Sequence, residues 1–211
     1  MEHLQNSTAI ISGGASGMGA ECAKLLASQG ARVGLLDLNT DAAVKLAKEI
    51  EGYAVTCDVS DSQNTAAAFE KVQNKLGAPR ICINCAGVAP AQRIAGRSGA
   101  MPLEDFKKTI DVNLIGTFNI MRLAAVQMQS LEKCNDDDER GVIINTASIA
   151  AYEGQIGQAA YSASKAGIAG MTLPAARELA TFGIRVMTIA PGVINTPMMA
   201  AMPEQVQLKL A

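Results

Sequence analysis

The run Thr8-Ala9-Ile10-Ile11-Ser12-Gly13-Gly14-Ala15-Ser16-Gly17-Met18-Gly19 decides how this chain folds. Its first residues make a short apolar strand, the glycines turn the chain, and Cys22, Leu25 and Leu26 then fall on one face of a helix. Strand, glycine turn and helix in that order suit a phosphate group. The glycines let the backbone approach a pyrophosphate closely, and the helix N-terminus turns unpaired N–H groups and a positive dipole end toward it. No Lys-Ser/Thr follows Gly19, which excludes the loop that holds nucleoside triphosphates. Alone, the motif is weak evidence, because many glycine-rich turns are only tight turns.

Downstream, Val33-Gly34-Leu35-Leu36-Asp37 reads as a second strand, ending in a carboxylate eighteen residues after Gly19. That is close to the ~20 at which an acid grips an adenosine ribose. A carboxylate accepts bonds from the ribose hydroxyls and repels a 2′-phosphate, and neither Leu38 nor Asn39 supplies a cation, so NAD is expected over NADP. The alternative, Asp37 as cap of the next helix, competes with Asn39, Thr40 and Asp41 for that task. The pattern continues with a helix over 40–51, a strand over 53–57, a helix over 61–76 and a strand over 80–84. The apolar character of these strands suits a parallel sheet covered on both faces. Residues 89–101, with Pro90, Gly96 and Gly99 around Arg93 and Arg97, read as a surface loop. Helices are expected over 103–110 and from 111 to about 131, followed by a charged, solvated connection over 134–140. Residues 141–145 and 184–189 complete the strands.

The chemistry gathers after the strand at 141–145, in Asn145-Thr146-Ala147-Ser148 and Tyr161-Ser162-Ala163-Ser164-Lys165. Helical spacing puts Tyr161 and Lys165 on one face, about 6 Å apart along the axis. Free tyrosine has a pKa near 10, so use near neutral pH needs a shift of roughly three units, about 4 kcal/mol, which a neighbouring cation can largely supply. Ser148 ends its strand where ligands of open parallel sheets bind. An isolated Tyr/Lys pair at this spacing is more often a solvated helix face.

Taken together, the glycine turn, Asn84-Cys85-Ala86-Gly87, Asn113, Ser148 and Tyr161-x-x-x-Lys165 resemble the short-chain dehydrogenase/reductase family. The resemblance runs in order from Ser12 to Thr196 and implies an α/β fold, a doubly wound parallel (Rossmann) sheet in a single domain over 1–211. It implies cofactor contacts at Ser12, Gly13, Ser16, Gly17, Met18, Gly19, Asp37, Leu38, Asp58, Val59, Asn84, Ala86 and Gly87, at Tyr161 and Lys165, and at Pro191, Gly192, Val193, Ile194 and Thr196. As plain sequence, Asp58 could equally serve a turn or cap, and Asn113 could be a polar spacer inside a helix. The implied mechanism makes Tyr161 the acid–base group and Ser148 the partner of the substrate oxygen. Lys165 lowers the Tyr161 pKa and holds the nicotinamide ribose, and Asn113 holds a kinked turn and a water chain to Lys165. Gln155 and Gln158 are candidate substrate contacts, or residues that simply bond backbone.

Two substitutions depart from the family pattern, Ser12 for Thr and Cys85 for Asn. A third departure is length, since the chain ends at Ala211, before the last strand that usually completes the sheet, leaving an apolar edge expected at 184–189. Segments 141–148, 157–165 and 170–174 are similar to the family members that oxidise short or branched 3-hydroxyacyl-CoA, which implies an acyl-CoA substrate and a homotetramer. Hydroxysteroid, sugar-alcohol and oxoacyl-carrier-protein oxidoreductases are the alternatives within enzymes. A non-catalytic nucleotide-binding subunit is the alternative of another class. Arg93 and Arg97 are candidates for the phosphates of the acyl-CoA, or else solvated loop residues.

Composition sets the remaining bounds. The 211 residues are 49% apolar, enough to bury a sizeable core, and a net charge of −2 with scattered Lys and Arg argues against a nucleic-acid partner. No apolar run is long enough to span a membrane. Five cysteines, an odd count, and an opening Met1-Glu2-His3-Leu4-Gln5-Asn6 without a signal-peptide pattern point to a reducing compartment, cytoplasmic or alternatively the mitochondrial matrix. Cys82-x-x-Cys85 falls on a buried strand and its end with no second pair, so no metal site is expected.

Overall fold

A computed structural model describes residues 4–200 except Ser98 and Asp136. Strands β1 (Thr8–Ser12), β2 (Arg32–Asp37), β3 (Tyr53–Thr56) and β4 (Pro79–Asn84) alternate with helices α1 (Gly17–Ser28), α2 (Thr40–Glu49) and α3 (Ser62–Leu76). After β4 come a two-residue hairpin, β5 (Ala95–Gly96) with β6 (Gly99–Ala100), then α4 (Leu103–Ile110), a π-helical turn (Asp111–Ile115) and α5 (Gly116–Gln129). The chain continues through β7 (Gly141–Thr146), a 3-10 turn (Ile149–Ala151), α6 (Ala159–Ala180), β8 (Ile184–Ile189) and the short α7 (Pro197–Ala200).

Six of the strands form one parallel sheet in the order β3-β2-β1-β4-β7-β8. The chain runs outward from β1 to β3 and then returns to β4, so the order reverses between β1 and β4, the crevice where open α/β sheets bind ligands. Strand pleating explains the apolar runs. Ala9 and Ile11 of β1, Leu35 of β2 and Ile81 and Ile83 of β4 bury against α1 and α2, whereas Ile10, Leu36 and Cys82 face the other core, with Phe69, Val72, Ile120 and Met128.

Two sequence expectations change. The stretch read as loop over 89–101 contains the β5–β6 hairpin, closed by the Met101 amide on the Ile94 carbonyl (2.9 Å). The helix expected from residue 111 opens instead as a π turn, where one extra residue fits in without breaking the path from α4 to α5. Beside it, Gly116 is required for contact, since a Cβ there would stand 2.5 Å from Val59 Cγ2. Strand β8 is an edge of the described sheet, with Met187 and Ile189 about half exposed. Among the described residues, no helix is long and apolar enough to cross a membrane.

Candidate active site

Two adjoining depressions lie along the C-terminal ends of the strands, sharing Met18, Cys85, Gly87 and Thr196. The first is bounded by Gly13, Ser16, Gly17, Met18 and Gly19, by Asp37 and Leu38 after β2, by Asp58 and Val59 after β3, and by Ala86 and Gly87 after β4. Its floor is backbone brought very close: a Cβ on Gly13, whose φ is +64°, would lie 2.6 Å from the Ala86 nitrogen. Ser16 occupies the N-cap of α1 yet its side chain makes no capping bond, so the first amides of the helix stay available to an anion. This cradle fits the pyrophosphate of a dinucleotide.

Asp37 does two jobs. Its Oδ2 accepts from the Ala15 amide and its Oδ1 from the Asn39 amide, both at 2.9 Å, tying the glycine turn to the end of β2. The cap of α2 is Asn39, whose side chain accepts from the Ala42 amide, which leaves Asp37 facing the groove. Asp58 likewise lines the groove while its Oδ1 accepts from the Ser60 amide and hydroxyl.

Ser12 and Asn84, read from sequence as cofactor contacts, stand beneath the groove with their side chains buried. The Ser12 hydroxyl donates to Asn84 Oδ1 (3.1 Å), and Asn84 Nδ2 donates to Asn145 Oδ1 (2.8 Å). These three residues sit at one level of the sheet, because β1, β4 and β7 pair in the register Ser12↔Asn84↔Asn145. The result is a polar rung crossing three strands just below the site.

The second depression contains Ser148, Tyr161, Lys165, Gln155 and Gln158, faced by Pro191, Gly192, Val193, Ile194 and Thr196 of the segment after β8. Helix α6 presents Tyr161 and Lys165 one turn apart, with Lys165 Nζ 5.7 Å from the centre of the Tyr161 ring. Lys165 is almost fully buried and donates to the main-chain carbonyl of Thr146 (2.6 Å). Burial is the main cause of its depressed pKa, about 8, because the charged ammonium loses water. Burial also pushes the Tyr161 phenol up, while a hydrogen bond with Ser148 pulls it down. Ser148 is held for this by position, extended after β7, its hydroxyl accepting from the Ala150 amide (3.1 Å) at the start of the 3-10 turn. The downward pull of Ser148 does not offset burial, and the phenol stands above its usual value. Gln158 spends its side-chain oxygen on the Gln155 amide (2.9 Å), so this part of the backbone-bonding alternative is realised even as both glutamines line the pocket.

Asn113 lines neither depression. Fully buried in the π turn, it accepts from the Val88 amide (2.8 Å) and donates to the Val88 carbonyl (2.9 Å) and to the Ser164 hydroxyl (3.0 Å). It therefore clamps the strand of backbone that follows Gly87 against α6, one residue from Lys165. The sequence reading missed Ser164, Thr146, Val112 and Glu153. Thr146 acts through its carbonyl, which any residue would provide, so no sequence signal could have marked it.

Cys85 lies between the two depressions with its thiol pushed up to about 11, chiefly by burial, and buried Cys82 reaches about 12 for the same reason. Both remain thiols at neutral pH. Arg93 lines a shallow outer groove with Ile94, Tyr152 and Ile156 that shares Gln155 and Gln158 with the Tyr161 pocket. Arg97 sits at the turn of the β5–β6 hairpin and lines none of these surfaces.

This arrangement joins a dinucleotide cradle to a Ser-Tyr-Lys group whose lysine is buried. The family model described as short chain dehydrogenase matches residues 7–207. The 3-hydroxyacyl-CoA dehydrogenase type-2 of Drosophila melanogaster is 48% identical over 99% of this chain and 83% of its own length. The Homo sapiens protein of that name is 48% identical over 96% of this chain and 79% of its own. A crystal structure of 3-hydroxyacyl-CoA dehydrogenase type-2 from Mycobacterium avium superposes with a TM-score of 0.86 at 41% identity, covering 94% of this chain and 79% of that one. The family match and the fold agree over nearly the whole sequence, and the chain belongs to the short chain dehydrogenase family.

Proposed function

We propose that this protein is an NAD-dependent dehydrogenase that interconverts a short or branched 3-hydroxyacyl-CoA and its 3-oxo counterpart. The observation that carries the reading is the placement of Tyr161, Ser148 and Lys165 in a pocket joined to the dinucleotide cradle, in a chain close to half identical to dehydrogenases named for that substrate. When bound, the nicotinamide ring supplies the hydride acceptor or donor.

The chain's own residues supply the rest. Gly13 to Gly19 receive the pyrophosphate at the head of α1, and Asp37 accepts from the adenosine ribose. The Tyr161 oxygen takes the proton of the substrate hydroxyl in oxidation and returns it in reduction. Ser148, which shares the pocket with the phenol and pulls its pKa down, orients the substrate oxygen and stabilises the ionised tyrosine. Lys165, close against the Tyr161 ring, adds positive charge when protonated. Asn113 fixes the Gly87-Val88 backbone on which the cofactor side of the pocket rests. The outer groove with Arg93 offers the coenzyme arm a path away from the reacting carbon, with a guanidinium for phosphate.

Self-association, as a homotetramer, is part of this reading. Ile115, Phe118 and Val126 form an exposed apolar stripe down one face of α5 and the π turn that precedes it, and a second copy is its natural cover. Five free cysteines are in keeping with a reducing compartment, the cytoplasm or alternatively the mitochondrial matrix. The test is to follow NADH absorbance with acetoacetyl-CoA, a hydroxysteroid and a polyol in parallel. Preference for acetoacetyl-CoA is expected, and turnover confined to the steroid or polyol would refute the substrate assignment.

A further inference from the structure

The walls of the Tyr161 pocket are mainly apolar, with Ala147, Ile149, Ala150, Pro191 and Val193 among them. Its ionisable side chains are Cys85, Glu153, Tyr161 and Lys165. Cys85 and Tyr161 are uncharged at neutral pH, since burial raises both. Lys165 lies under Tyr161, almost fully buried, with its ammonium donating to the Thr146 carbonyl, so little of it faces the open pocket. Glu153 is different. It follows the 3-10 turn with its amide held by the Ile149 carbonyl (2.9 Å), and its exposed carboxylate makes no hydrogen bond or ion pair among the described residues. Arg93 lines the outer groove beyond Gln155 and Gln158 and does not line the pocket.

A substrate that offers its C3 hydroxyl to Tyr161 and Ser148 carries its C1 carbonyl group two carbons away, inside the same pocket. If C1 is a free carboxylate, it enters a site with an unpaired glutamate and one lysine, itself buried against the Thr146 carbonyl. If C1 is a thioester, it is neutral. From this we infer that Glu153 is a specificity-determining charge filter, admitting 3-hydroxy and 3-oxo compounds whose carboxyl is masked as a thioester and turning away the corresponding free acids. The inference rests on the acyl-thioester reading above and adds a residue and a reason for it. Two like charges about 6 Å apart, an assumed separation, would bias the choice by about threefold in a water-like medium and by tens of fold where water is thinned.

The experiment compares kcat/KM for 3-hydroxybutyrate with that for its N-acetylcysteamine thioester. This thioester is neutral and lacks the coenzyme's phosphates, so contacts to Arg93 do not enter. The wild type, Glu153→Gln and Glu153→Lys are measured at low and high salt. The thioester-to-acid ratio should fall by about 3- to 30-fold in Glu153→Gln, and further in Glu153→Lys. Added salt should raise the acid's kcat/KM in the wild type and not in Glu153→Gln, because screening removes only a charge that is present. Turnover of the thioester with an unchanged ratio in both variants would overturn the filter alone. A wild type that oxidises neither compound, nor any acyl-CoA, would overturn the thioester reading and the filter together.

Discussion

Replacing Asp37 separates two effects that its geometry combines. The carboxylate is half-buried at the end of β2, with each oxygen accepting a backbone amide at 2.9 Å, one from the glycine turn and one from the start of the α2 cap. A 2′-phosphate on the adenosine ribose would bring a charge of about −1.5 to −2 beside it. At about 4 Å, in a medium between water and a protein surface, that repulsion comes to about 2–4 kcal/mol, or roughly 30- to 1,000-fold in favour of NAD. Asp37→Asn keeps the shape and one acceptor oxygen while removing the charge, so the NAD preference should fall to within about tenfold. Asp37→Ala removes the charge and both backbone bonds. Bonds to a charged group are worth about 1.5–3 kcal/mol each, so this variant should also melt earlier and bind both cofactors less well. The assay is kcat/KM for NAD and NADP with each variant, alongside its melting temperature. A wild type that favours NADP, or an Asp37→Asn ratio equal to the wild type's, would refute the electrostatic argument.

The remaining predictions concern the pocket and its approach. Tyr161→Phe should cut turnover by about 10²–10⁴ while NADH binding, followed by fluorescence, largely survives, since only the ionisable oxygen is lost; substantial retained activity would mean the proton goes elsewhere. In Ser148→Ala the hydrogen-bonding contribution that pulls the Tyr161 pKa down disappears, so the phenol titrates higher still. Oxidation, which needs the ionised tyrosine, should then require a more alkaline pH, and reduction, which needs the protonated one, should persist to higher pH. An unshifted pH profile would count against it. Arg93→Ala should raise the KM for acetoacetyl-CoA several-fold at low salt, and Arg97→Ala, away from the groove, should not; equal effects would show that the groove does not guide the coenzyme arm.

Residues that act through side-chain type at fixed spacing were legible in the sequence. The glycine turn, Asp37, Ser148 and the Tyr161/Lys165 pair could be placed because each chemistry demands particular side chains at a particular separation. Strand alternation between two buried faces likewise appeared as apolar runs, and the parallel sheet followed. Contacts made through main-chain atoms were not legible. Lys165 leans on the carbonyl of Thr146 and Asn113 on both backbone groups of Val88, and neither partner's identity announces this. The π turn has no composition of its own either; its sign in the sequence is only that a helix-length run contains a buried Asn.

Ser12 and Asn84 show a third kind of limit. The family resemblance implies cofactor contacts for both, and strand order decides what their side chains bond within the protein. β1, β4 and β7 are neighbours in the sheet although 72 residues separate Ser12 from Asn84 and 61 separate Asn84 from Asn145. Once those strands pair, their last inward polar side chains meet one another, with Ser12 Oγ also 3.5 Å from the Ala86 amide and Asn145 Nδ2 3.8 Å from the Met121 sulfur. Burial without partners would cost about 1–3 kcal/mol for each such group, so the bonded rung favours a single register and resists slippage. That register sets the height at which Gly13 meets Ala86 and at which Ser148 leaves β7. Through that register the two residues also support the backbone groups that line the site.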